Sequence, residues 1–166
     1  NDVAFKYKIY PQGETLSCVV KQEVTGFVFP DGTTTFLCPQ SKPMGGFART
    51  SPSYETSYTA DDVAGKNGWG EGYTFPCLFR NGDNGWVLVS ETGVNGGYCA
   101  SRLLGHKGGV YTIGFPQEGE ANGNGTVSPG IALPGETPWR TVTVGKTLAP
   151  IVETTVPFDV VKPLYQ

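Results

Sequence analysis

Few side chains in this sequence are of the right type and spacing to do chemistry. The single histidine, His106, stands in Gly105-His106-Lys107-Gly108, which reads as a flexible polar turn rather than a metal or general-base site. The cysteines are Cys18, Cys38, Cys77 and Cys99; they form no CxxC pair and none neighbours the histidine. Neither a zinc site nor a Cys–His nucleophile pair is therefore set up. Their even number permits disulfides, but each lies among apolar or aromatic residues, and buried free thiols are the expectation. Carboxylate pairs acting on a glycosidic bond need rigid placement. Glu118 and Glu120 lie in one glycine-rich stretch and Asp61-Asp62 in another, so both pairs read as solvated surface. Trp86 and Trp139 fall within strand patterns and read as core. Trp69, with Tyr54, Tyr58 and Tyr73, is left as a candidate ligand-stacking surface.

Glu91 is different because position and chemistry agree. Trp86 to Val89 is a continuous apolar, β-branched and aromatic run, read as a strand buried on both faces. It is entered through Asn81-Gly82-Asp83-Asn84-Gly85, a turn rich in residues that tolerate positive φ. It stops at Ser90-Glu91, and a carboxylate at the mouth of a buried strand is costly unless a cation or several donors meet it. A hard cation such as Ca²⁺ would suit it, but wants roughly six to eight oxygens, so other ligands must come from elsewhere. The competing reading is a salt bridge or hydrogen bonds to turn amides.

The elements that must hold these residues are strands. Val3, Phe5, Tyr7 and Ile9 alternate with polar or small residues, the mark of a half-buried strand. Further runs span Leu16 to Val20, Val24 to Phe29, Thr33 to Leu37, Tyr73 to Arg80 and Tyr98 to Leu103, with Pro76 marking a bulge or edge. Tyr111, Ile113 and Phe115 alternate again, as do Val142 and Val144 after Trp139. Asp61 to Gly72 reads as loop, and residues 117–136, polar and glycine-rich, as surface. Leu148 to Glu153 allows one helical turn, and Val156 to Val161 reads as a last short strand. No segment sustains the helical period over three turns. The expected class is all-β, a sandwich with little helix.

Bulk properties exclude several functions. The 166 residues carry a net charge of −3 with no basic stripe, which argues against nucleic acid as partner. Gly and Pro number 24 and 13, many turns in a chain with clear strand patterns. No apolar run reaches about 18 residues, so no membrane-spanning helix is expected. The chain has no initiator Met and no signal peptide, and reads as a processed or excised piece.

Several segments together resemble one known domain. Tyr73-Thr74-Phe75-Pro76-Cys77-Leu78-Phe79-Arg80, then Gly85 to Val94, then Gly97-Tyr98-Cys99-Ala100-Ser101, follow its order and spacing. So do Thr137-Pro138-Trp139-Arg140-Thr141-Val142 and Leu148 to Thr154, and Asn1 to Tyr7 resembles a strand of the same domain without its usual glycine. The domain is the N-terminal β-sandwich of glycoside hydrolase family 97, the α-glucosidases and α-galactosidases found largely in gut bacteria. The resemblance implies a sandwich of the galactose-mutarotase type over residues 1–161, only its C-terminal part. Residues 162–166 would begin the linker to a catalytic (β/α)₈ barrel.

It further implies that the glutamate matching Glu91 completes a Ca²⁺ site whose other carboxylates belong to the barrel. The catalytic residues would then all lie on that barrel. The chain's expected role is that of a non-catalytic fragment of an exported, periplasmic α-glycosidase acting on oligo- or polysaccharides, buttressing the barrel and lending it one carboxylate. The alternative is a free-standing carbohydrate-binding sandwich using Tyr54, Tyr58 and Trp69; a purely structural module is a third reading.

Overall fold

The computed structural model describes residues 1–40, 59–65, 71–120 and 127–162. The first strands are β1 (Asp2–Phe5), β2 (Lys8–Ile9), β3 (Ser17–Val19), β4 (Gly26–Val28), β5 (Thr34–Pro39) and β6 (Thr59–Val63). Then follow β7 (Tyr73–Asn81), β8 (Gly85–Thr92), β9 (Arg102–Lys107) and β10 (Val110–Gly114). β11 (Gly130–Ala132), β12 (Gly135–Glu136) and β13 (Trp139–Gly145) complete the strands, and two short helices close the chain, α1 (Ala149–Glu153) and α2 (Val156–Asp159).

The described strands form a curled antiparallel sheet in the order β1-β13-β8-β7-β9-β10-β4, with β5 beside β7 and β6 on its outer edge. Two small ribbons, β3 with β11 and β2 with β12, stand apart from it. The class is all-β, a sandwich. The register places Cys77 opposite Val89, Phe79 opposite Val87, and Val142 opposite Val89, so these side chains share one face. Curling brings Leu103 and Tyr111 onto that face, where they join Leu37, Tyr73, Cys77, Phe79 and Val89 in one core. Phe29 stacks on Phe79 with ring centres 4.0 Å apart, and Tyr111 meets Phe79 edge-on at 5.3 Å. Full burial of a side chain like Phe79 contributes about 1.5–3 kcal/mol, and each such ring pair about 0.5–1.5 kcal/mol more.

Several expectations need correction. Of the Trp86–Val89 run, Val89 alone is fully buried, because the face carrying Trp86 and Leu88 is covered only in part, by Phe36 and the terminal helices. Val156 to Val161 is no strand: Pro157 falls in the first helical turn, where its missing N–H costs nothing, and α2 forms. His106 lies within β9, packed on the Tyr111 ring at 5.1 Å; the turn is formed by Gly108 and Gly109. Asp61 to Val63 belongs to β6, an edge strand that carried no apolar signal. Tyr98 to Ser101 precedes β9 as loop. Residues 130–136, expected at the surface, hold β11 and β12, and Ile131 is buried. Tyr73 is core rather than ligand-facing. Cys38 and Cys77 are buried free thiols, as expected; Cys18 and Cys99 are free and half-buried.

Candidate functional site

The core face of the sheet does not end in apolar residues. Continuing along β8 and β13, the next opposed pair after Val89 and Val142 is Glu91 and Arg140. Alternation forces both inward, onto the same face as the core. β7 stops pairing with β8 at Cys77, and Tyr73 pairs instead with Leu103 of β9, so β8 and β9 diverge. Glu91 sits in the fork between them, and Ser101, the residue just before β9, fills it.

Arg140 is fully buried. Its Nε donates to Glu23 Oε1 at 2.9 Å and its Nη2 to Glu23 Oε2 at 2.6 Å, a two-point grip on a carboxylate 117 positions away. The remaining arm, Nη1, donates to Glu91 Oε2. Ser101 donates to Glu91 twice, from its backbone N to Oε1 at 3.1 Å and from its hydroxyl to Oε2. Thr25 Oγ1 donates to Glu23 Oε1 at 2.9 Å and lies 3.1 Å from the Tyr7 hydroxyl. The side chains of Glu23 and Glu91 are 3% and 6% exposed.

One guanidinium thus faces two buried carboxylates, leaving a negative charge in surplus. Burial works against the Arg140 charge, but its hydrogen bonds to Glu23 and the nearby Glu91 outweigh burial and hold the guanidinium above its ordinary value. Tyr98 is buried beside the cluster; burial first, then Glu23, pushes its phenol up, and its hydroxyl has no hydrogen-bond partner among the described residues. A cavity of about 550 Å³ opens next to the cluster, lined in part by Tyr98, Asn95, Val94, Trp139 and Lys6. Lys6 lies over the Trp139 ring at 4.8 Å and pairs with Glu136, so one face of that indole is covered.

Among the described residues no group of three or more His, Cys, Asp or Glu is placed to hold a metal ion. Glu91 nevertheless fits a hard cation as one ligand of a shared site. It is a carboxylate held at the fork, 6% exposed, in a cluster with surplus negative charge, and among the described residues its Oε1 accepts a single hydrogen bond. The salt-bridge reading of Glu91 and the turn-amide reading both hold in this structure.

Tyr54, Tyr58 and Trp69, the candidate ligand-binding aromatics, lie outside the described residues. Asp61 pairs with Arg80 at 3.0 Å and Glu120 approaches Arg102 at 3.7 Å, so neither acidic pair is simply solvated. Sequence reasoning missed Arg140, Glu23 and Ser101 as partners of Glu91. Arg140 carried a signal, a charge in phase with Val142 and Val144. Glu23, in the polar Lys21-Gln22-Glu23 stretch, carried none.

A sequence model described as Glycosyl-hydrolase 97 N-terminal matches residues 1–163. Among solved structures, the chain superposes on one described as the crystal structure of a beta-arabinopyranosidase. The TM-score is 0.94 and the identity 61%, over 100% of this chain and 27% of that one. A Glycoside Hydrolase Family 97 enzyme from Pseudoalteromonas sp. strain K8, in complex with acarbose, matches with TM-score 0.68 and 20% identity, over 98% of this chain and 22% of that one. A variant of an enzyme of that family from the same strain gives 0.71 and 22%, over 98% and 22%. These two show a shared fold. The chain therefore spans about a quarter of the solved chains it resembles. A search of curated proteins finds no match.

Proposed function

The chain belongs to the glycosyl-hydrolase 97 N-terminal family, and on that premise we propose that it is a non-catalytic sandwich within a larger glycosidase. It buttresses a catalytic barrel and lends that barrel one carboxylate, from Glu91, for a Ca²⁺ ion. The observation that carries the reading is the fork between β8 and β9. There a buried carboxylate stands beyond the last apolar pair of the core face, in a cluster with surplus negative charge. The bound ion would supply charge with which to polarise or orient the substrate. This chain's part is to hold Glu91 rigid, through Ser101 and Arg140, where a neighbouring domain can meet it.

The parent's substrate is a glycoside of oligo- or polysaccharide origin. The resemblance favours an α-glucoside or α-galactoside, whereas the 61%-identical structure is of a beta-arabinopyranosidase. The last two can be reconciled, since a β-L-arabinopyranoside has the ring configuration of an α-D-galactopyranoside without its hydroxymethyl group. We place the parent in that stereochemical class, ahead of glucosides. An exported, periplasmic location belongs to the same proposal; it rests on the resemblance, and cell fractionation checks it.

In the intact enzyme, Glu91→Gln is expected to lower Ca²⁺ affinity and activity together, the affinity by more than the roughly 10–100-fold that outer-shell substitutions cost. Calorimetric Ca²⁺ binding that is the same in the variant and the wild type would remove Glu91 from the site.

A further inference from the structure

Resting on the metal reading of Glu91, we propose that Glu23 is a positioning residue for that site. It neutralises Arg140 through two hydrogen bonds, so that Glu91 remains the surplus carboxylate, available to a cation supplied from outside the chain. The geometry separates the two acids. Arg140 gives Glu23 two of its three nitrogens, in the side-by-side arrangement that fixes both orientation and charge. Glu91 receives one arm only and draws its other donors from Ser101.

Were Glu23 absent, the fully buried guanidinium would depend on Glu91 alone for compensation. An uncompensated buried charge is severely unfavourable. Glu91 would be drawn fully to Arg140, and a cation would have to compete with a permanent positive charge for the same oxygens. With Glu23 in place, moving Glu91 toward a cation leaves Arg140 still paired. Thr25, whose hydroxyl donates to Glu23 Oε1, holds Glu23 in the grip from the other side.

This role belongs to a side chain held by Arg140 and Thr25, and it makes a prediction that a general contribution to folding does not. Four forms of the intact enzyme are needed: wild type, Glu23→Gln, Glu91→Gln and the double variant. Ca²⁺ affinity is read by calorimetry, and the thermal midpoint in chelator reports folding. Glu23→Gln alone is expected to bind Ca²⁺ about 10–100-fold more weakly, as outer-shell substitutions do. In the Glu91→Gln background the same change is expected to add little, because its effect runs through Glu91.

If Glu23→Gln binds like the wild type while Glu91→Gln is impaired, this inference falls and the metal role of Glu91 stands. An equal penalty in both backgrounds also overturns it, since that is the signature of a general structural effect. Wild-type affinity in Glu91→Gln overturns both. Should Glu23→Gln fail to fold, Thr25→Val, which replaces the hydroxyl with a methyl group and so removes the donor to Glu23, carries the test. A several-fold weaker affinity supports the proposal, and an unchanged one ends it.

Discussion

Cys99, two positions before Ser101, reports on the charge of Glu91 without any metal. Burial first, then the Glu91 carboxylate, pushes its thiol from 9.0 up to about 11. The thiolate is the nucleophile, so two pKa units mean about 100-fold less of the reactive form at pH 8. Alkylation of Cys99 by iodoacetamide at that pH, followed by peptide mass mapping, should be slower than for a free cysteine by roughly tenfold or more, since the higher-pKa thiolate is the stronger nucleophile and offsets part of the loss. Glu91→Gln should speed it, because removing the carboxylate removes one of the causes holding the thiol protonated. A Cys99 that alkylates at the free-thiol rate would mean that the fork is open to water and that Glu91 is not held as described. At this scale the sequence was partly legible. A carboxylate ending an apolar run marked Glu91 as exceptional, but what meets it depends on register and on a remote loop, neither of which is local information.

At the scale of elements, the β7–β8 hairpin sets the register that places Glu91. Two of its glycines have positive φ but different surroundings. A Cβ on Gly85 would meet the Gly145 carbonyl oxygen at 2.6 Å, whereas one on Gly82 meets nothing within 4 Å. Gly82→Ala should therefore cost only the left-handed backbone penalty, about 1–2 kcal/mol. Gly85→Ala should cost more, because β13 must also move, and the thermal midpoint of the variant should fall further than that of Gly82→Ala. Equal losses would show that β13 is free to shift at Gly145. The same scale explains which strands could be read. β10 alternates as its sequence suggests, with Tyr111 and Ile113 buried and Val110 and Thr112 half-buried, whereas β1 leaves Val3 exposed and β13 buries Thr141 and Thr143 while exposing Val144. β6 escaped notice because an edge strand such as Thr59–Val63 can carry aspartates. The segment of α2 reads as a strand because Val156 and the valines after it favour one, whereas Pro157, whose fixed φ suits a first helical turn, admits a helix instead.

For the molecule as a whole, the buried tyrosines tie stability to alkaline pH. Burial first, then Tyr111 and Cys77, pushes Tyr73 up to about 12, and Tyr98 and Tyr111 are also raised. The folded state holds these protons more tightly than the unfolded state, whose tyrosines titrate near about 10. The stabilisation is therefore complete below about pH 10 and is lost as pH rises through the folded value. The thermal midpoint should fall steeply between pH 10 and 12, in step with phenolate absorbance. A midpoint that is flat over that window would mean the tyrosines are not buried together.

The Glu23–Arg140–Glu91 cluster has one more consequence, which concerns assembly. Its members come from three remote stretches of chain, joined across 117 and 49 positions. If β13 slipped by one residue against β8, Arg140 would turn to the opposite face, and both acids would be left buried without a counter-charge. The cluster therefore acts as a checksum on the sheet: it closes only when the pairing is correct, and every neighbouring misalignment is penalised.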